Sequence, residues 1–401
     1  MHRGGRYAGA IAVALFAALA LPPAALADEP PAANPAAVQS ANPRVSAAAM
    51  AEYRRALAEY NKVHDAYVAA ARAYWSSIAD KRQLRNSKRA RGEQVLIDDY
   101  VRTQPPVYSG PPKPIDPSAP TQLAPPPAAV PVVADFLNAA KQEYNFTPRQ
   151  PRSDIEFKRA YAEVAAAAGL TEDQVVRIYG FEATGNGGYD VQAGLEYHKP
   201  GARAITTALG YNQLLATNSV ELLAESGDKF VASLEAKANG LPAKEKAGLW
   251  NTIAVIRKMI DFARSVPDDW GQHGILAGTA KGLAIHAMNL DLNVGPLLQT
   301  QKLLDSVVFA HRKGHGAQLT AAELEMMNLT GDGNGFDMIE MPSDWRNQVP
   351  TANFFQRRGY ADNPVAQRNN LVATLIAATD ASMDQEIKKQ GAKDLAAAFP
   401  K

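Results

Sequence analysis

From Gln104 to Pro131 the chain reads "QPPVYSGPPKPIDPSAPTQLAPPPAAVP". Each proline fixes φ and removes a backbone N–H, so neither a helix interior nor a central strand can run through such a stretch. Whatever folds must do so on either side of it. The stretch reads as a semi-rigid spacer and the main domain boundary. It separates a helical segment at 46–103 from a larger domain at 132–401.

On the N-terminal side, residues from Ser46 to about Lys81 carry a helical pattern. Tyr53, Tyr60, Tyr67 and Tyr74 recur every seven residues, with Leu57, Val63, Ala70 and Ile78 between them. That spacing places the tyrosines on one stripe of a long helix, as in a packing seam. Stacking on sugar rings, or docking of an envelope protein partner on the Tyr53–Tyr74 face, are the alternatives. Lys81, Arg82, Arg85, Lys88, Arg89 and Arg91 follow as a basic cluster. Such a run reads first as a solvated face, and second as a weak attractor of anionic envelope polymers.

The start of the chain has the marks of a secretory signal at 1–27. His2, Arg3 and Arg6 precede an apolar run from Ala8 to Leu21, ended by Pro22 and Pro23; Ala25-Leu26-Ala27 offers small residues for cleavage before Asp28. At about 14 residues the run is short for a membrane span. Residues 28–45, rich in Ala, Pro and Asn, read as a disordered leader. The chain has no cysteine, which excludes disulfides and a lipoprotein anchor. A net charge of +1 gives no general nucleic-acid footprint. Together these features point to a bacterial periplasm, with the signal cleaved after Ala27.

Beyond Pro131 the apolar spacing is almost wholly that of helices, and the fold class expected is mainly α. Helices are expected at Val132–Tyr144, Asp154–Ala168, Asn218–Ala224, Pro242–Ser265, Pro296–Ala310 and Asn370–Gln385. Thr171 with Gln174, and Thr320 with Glu323, are capping-box signatures; they open helices running to Ile178 and Met327. Few stretches alternate with the two-residue period of a strand.

Most apparent motifs fail on inspection. His311 and His315 have a four-residue spacing, but Gly314 and Gly316 break the helix and no glutamate stands between them, so no metal site is expected. "TGDGNGFD", Thr330 to Asp337, resembles a calcium loop until Phe336 falls on a ligand position and Asp337 where glycine is needed. It reads instead as a glycine-rich turn. "ATGNGG", Ala183 to Gly188, lacks a P-loop lysine and a preceding strand.

Glu182 is the exception. It follows Val175, Val176, Ile178, Tyr179 and Phe181 at the end of an apolar helix. Desolvation and the partial negative charge of the helix C-terminus both favour the protonated acid there. From that segment alone, a solvated helix-end glutamate is the plainer reading.

A second segment changes the balance. "ALGYNQLLAT", Ala208 to Thr217, resembles the hallmark of the lytic transglycosylase and goose-type lysozyme superfamily, Gly-Leu-Met-Gln-Leu-Met-Pro-x-Thr. Gly210, Gln213 and Leu214 stand at matching steps, whereas Ala216 replaces the proline and Thr217 comes one step early. "EMMNLTGDGNG", Glu325 to Gly335, is similar to the family's late Ala-Tyr-Asn-x-Gly-x-Gly turn. Asn328 falls on the asparagine and Met327 replaces the tyrosine. Tyr360 is a possible source of a replacement hydroxyl. Ala183 also departs from the pattern, which has serine after the acid, and Gly188–Ala204 reads as an insertion over the cleft.

The resemblance implies a lysozyme-like helical domain with Glu182 as catalytic acid. Gly210, Tyr211, Asn212, Gln213, Asn328 and Tyr360 would bind substrate. The implied substrate is the MurNAc-β-1,4-GlcNAc bond of peptidoglycan strands, cut to a 1,6-anhydro end without metal or other cofactor. A hydrolytic lysozyme would need a second carboxylate, for which Asp190 and Glu196 are the candidates. A catalytically silent glycan-binding or scaffold protein is the alternative from another class.

Overall fold

The computed structural model describes residues 45–119, 129–195 and 203–401. The signal, the leader, residues 120–128 of the proline-rich stretch, and residues 196–202 with Glu196 lie outside these. The described chain is mainly α-helical and contains no strand. None of its helices is long and apolar enough to cross a membrane. The described residues divide into two compact units, one of 45–119 and Gln348–Asn353, the other of 129–195, 203–347 and Phe354–Lys401.

The first unit is built on α1 (Ala47–Ala90), which Ser46 opens by accepting a hydrogen bond from Ala49 N. The helix runs well past Lys81 and absorbs most of the basic cluster. Its buried residues, Ala71, Tyr74, Ile78 and Arg85, fall on one helical stripe. The tyrosine seam is covered from within the unit. Tyr108 packs edge-on to Tyr60 and Tyr67, 6.2 and 5.4 Å between ring centres. Gly110 sits so close to Val63 that a Cβ there would come within 2.5 Å of its side chain. The first part of the proline-rich stretch, read from sequence as a semi-rigid spacer, is therefore packed along α1.

The basic cluster is a second correction. Arg85 is 1% exposed, lies 4.2 Å over the Tyr100 ring and donates to the Asp99 carbonyl. Lys81 donates to the carbonyls of Asp98 and Tyr100, and Lys88 grips the Asp99 carboxylate at 2.6 Å. Burial opposes ionisation of Asp99, but the Leu96 N–H and Lys88 hold its carboxyl below the ordinary range. Arg82 donates to the Asn353 carbonyl. These cations fasten α1 to its own surroundings, because a buried guanidinium or ammonium has to find acceptors.

The second unit holds fifteen of the α-helices. In chain order they are α2 (Val133–Tyr144), α3 (Asp154–Ala167), α4 (Glu172–Glu182), α5 (Ala216–Asn239), α6 (Ala243–Ala263), α7 (Trp270–Ala277), α8 (Ala280–His286), α9 (Gly295–Arg312), α10 (Ala321–Thr330) and α11 (Asp332–Ile339). The short α12 (Ser343–Arg346), α13 (Arg357–Ala361) and α14 (Pro364–Arg368) precede α15 (Val372–Glu386) and α16 (Gln390–Ala398). Both capping boxes form as expected, at Thr171/Gln174 and Thr320/Glu323. The main core joins α2, α5, α6, α8 and α9 through Phe136, Leu223, Phe230, Ile253, Ile256, Ile285 and Leu298.

Two glycines explain elements that sequence spacing misjudged. Gly227 lies inside α5, where a Cβ would meet Ile260 of α6 at 2.5 Å, so the helix continues through it and the pair closes tightly. Gly335 lies inside α11, where a Cβ would collide with the Met327 backbone of α10. "TGDGNGFD" is thus a sharp corner at Gly331, with φ +81°, followed by a helix crossing the one before it.

Candidate active site

A cavity of about 300 Å³ opens in the second unit. Its walls include Glu182, Gln213, Asn218, Glu221, Trp270, Lys302, Asn328 and Asp332. Six helices and one tight turn supply them.

The α4 capping box fixes the start of the helix whose last residue is Glu182. Beyond it the chain turns back at Thr184 and Gly185, both at positive φ, and is tied to the start of α16. Lys389 donates to the Thr184 carbonyl, Ala392 N to the Gly185 carbonyl and Gly391 N to Asn186 Oδ1. A side chain at Gly185 would run into the Glu386 carbonyl. "TGNGG" is therefore a structural corner that holds the end of α4 in place.

Glu182 is 5% exposed. Its Oε1 accepts a 2.8 Å hydrogen bond from Asn328 Nδ2 on α10, 146 residues away in sequence. Burial pushes the Glu182 carboxyl up to about 7, against the lowering effects of Glu325, Lys302 and Asn328. Glu325, one turn before Asn328 and fully buried, is held well above the ordinary carboxyl range, by burial first and then by the Glu182 charge. Glu221 on α5 is also pushed up to about 7, by burial and then by Glu225, Asp268 and Asp305, with Lys302 opposing.

The "ALGYNQLLAT" segment forms a tight turn. Leu209 and Leu214 exchange backbone hydrogen bonds at 2.9 and 3.0 Å, with Gly210 at φ +82° and Gln213 at φ +44°. A Cβ on Gly210 would lie 2.5 Å from Gln299 Nε2. Glycine is required there by both conformation and space. Gln213 lines the cavity while donating to the carbonyls of Val191 and Gly210.

The remaining residues singled out in the sequence lie elsewhere. Tyr211 is buried, donates to Asp154 at 2.8 Å and packs against Phe157, Tyr161 and Tyr179. Asn212 is buried too, bonding Tyr161 and Gln299. These two anchor the turn from behind and do not reach the cavity wall. Gly210 contributes through the backbone. Tyr360 is 6% exposed beside Phe355 and is not among the lining residues, and neither is Asp190. Met327, at the position of the family's tyrosine, is buried. His315 donates to or accepts from Glu340 at 2.7 Å, well away from any grouping with His311. Among the described residues, no set of three or more His, Asp or Glu side chains is placed to hold a metal ion.

Sequence spacing gave no notice of Glu221, Glu325, Trp270 or Lys302. Only Glu325 carried a local hint, since it lies one helical turn from Asn328 and so shares its face.

Comparison of the chain with family models, curated proteins and solved structures finds no match. Function has to be read from the cavity's own chemistry.

Proposed function

We propose that this protein is a periplasmic peptidoglycan lytic transglycosylase, with a lysozyme-like helical domain and Glu182 as its acid and base. The observation that carries this reading is the Glu182–Asn328 hydrogen bond at a cavity that Gln213 also lines. Three separate segments that resemble the superfamily's motifs thereby come to one place. A buried carboxyl poised near neutrality is the proton donor such a reaction needs.

In this mechanism Glu182 gives its proton to the glycosidic oxygen as the C1–O bond breaks. The muramyl 6-hydroxyl then attacks C1, and Glu182 takes the hydroxyl proton. The product carries a 1,6-anhydro ring, and the acid is regenerated. Trp270, half-buried on the cavity wall, offers an aromatic face for a sugar ring.

A hydrolytic reading is favoured by one observation, that Glu221 lines the same cavity. It could activate water as the second carboxylate of an inverting enzyme. Product mass decides the matter. Purified mature protein incubated with peptidoglycan is expected to release anhydro-muropeptides, one water lighter than hydrolysed ones. Reducing ends would establish the hydrolase with Glu221. Binding without release would establish a silent glycan-binding protein.

A further inference from the structure

Behind the cavity wall a second buried carboxyl, Glu325, stands beside Glu182, where the proposed reaction needs one. Asn328 Nδ2 is shared by the two carboxyls, 2.8 Å from Glu182 Oε1 and 3.5 Å from Glu325 Oε2, and each carboxyl shifts the other's titration. Among the described residues no ion pair within 4 Å reaches either carboxyl. Lys302 of α9 acts on both through space. Glu221 of α5 and Asp332 of α11 face the same cavity. On the α15 side the charges are already matched, with Arg177 paired to Asp380 and Asp384.

Two buried carboxyls gathered about one donor disfavour two negative charges, so one of them keeps a proton. Glu182 lines the cavity and receives the short Asn328 bond, which favours its charged form. Glu325 is wholly buried, and its Oε1 has no hydrogen-bond partner. An anion there would have no solvent and only the long Asn328 contact on its other oxygen.

We propose that Glu325 is a positioning residue that stays protonated and donates to Glu182, leaving Glu182 alone to exchange a proton with substrate. When Glu182 has given its proton to the leaving oxygen, its carboxylate accepts from both Glu325 O–H and Asn328 N–H. It regains a proton from the attacking hydroxyl, and the Glu325 proton never leaves. The substrate step rests on the function proposed above; the placement of the proton does not.

Two variants and one spectrum test this. In the pH–rate profile of glycan release, Glu325→Met removes the donor, and the alkaline limb should move up by about one pH unit. Glu325→Gln keeps a donor without a titrating proton and should return the limb to within about half a unit of wild type. A limb that moves down by about a unit or more in Glu325→Gln would show that Glu325 carries the negative charge, overturning the proposal. An unmoved limb in Glu325→Met would overturn it as well. Independently of turnover, the infrared spectrum of wild type at about pH 8 should keep a protonated-carboxyl C=O band that Glu325→Gln lacks. That band in a protein that cuts no glycan would sink the proposed function and leave the proton on Glu325. Its absence would overturn the proton placement whatever the activity.

Discussion

The chain concentrates charge in two places and treats them in opposite ways. On α1, Lys81, Arg85 and Lys88 are matched by carbonyls, an aromatic face and the Asp99 carboxylate. Around the cavity, Glu182 and Glu325 are buried and Glu221 is half-buried, with a single cation, Lys302, acting on all three. The first arrangement holds structure together. The second stores groups away from their ordinary protonation state, at a folding cost that a purely structural role would not require. A charge run in sequence therefore says little until its partners are known.

The largest expected effect lies at the acidic site. Glu182→Gln should lower glycan release by about 10²–10⁴-fold, with the helical circular dichroism unchanged. Retained turnover would remove Glu182 from the chemistry. Arg85→Ala should do the reverse. It strands the Tyr100 ring and the Asp99 carbonyl, and should cost about 1–3 kcal/mol in denaturant unfolding while leaving the cleavage rate of folded protein unchanged.

A pH series separates the two regions more finely. Glu182 and Glu221 have folded-state values raised to about 7. The protonated forms are the ones the fold accommodates, so their stability is fully present below about 4.3 and is lost as pH rises through about 7. The unfolding free energy should fall over that window in wild type and fall less in Glu182→Gln, by a difference on the order of 1–2 kcal/mol. The smallest effect belongs to the surface pair Arg257–Glu235, at 2.6 Å but largely solvated. Arg257→Ala should shift stability by less than about 0.5 kcal/mol.

Much of the helical layout was legible because its signals are local. The apolar spacing of α2, α3, α6 and α9 and the two capping boxes locate those helices to within a few residues. Spacing failed where a glycine serves a neighbour. The helix expected at Asn218–Ala224 runs on through Gly227 to Asn239, and the glycines of "TGDGNGFD" made α11 look like a turn, because the Ile260 and Met327 contacts are invisible in one dimension. At the site, Glu182, Gln213 and Asn328 could be found from motif resemblance. Tyr211 and Asn212 shared that motif but face the core, and residue spacing alone cannot tell the two sides of a tight turn apart. Glu221, Trp270 and Lys302 come from helices that meet only after folding. The basic cluster was misread for the same reason, since the carbonyls that bind it come from a segment folded back on α1.

The central claim is that Glu182 keeps its proton near neutrality because it is buried without a cation at contact distance. A titration of its side-chain carbonyl by carbon-13 NMR, assigned through Glu182→Gln, tests that directly. The midpoint is expected at about 7. A midpoint in the ordinary glutamate range, at about 4.3, would contradict it.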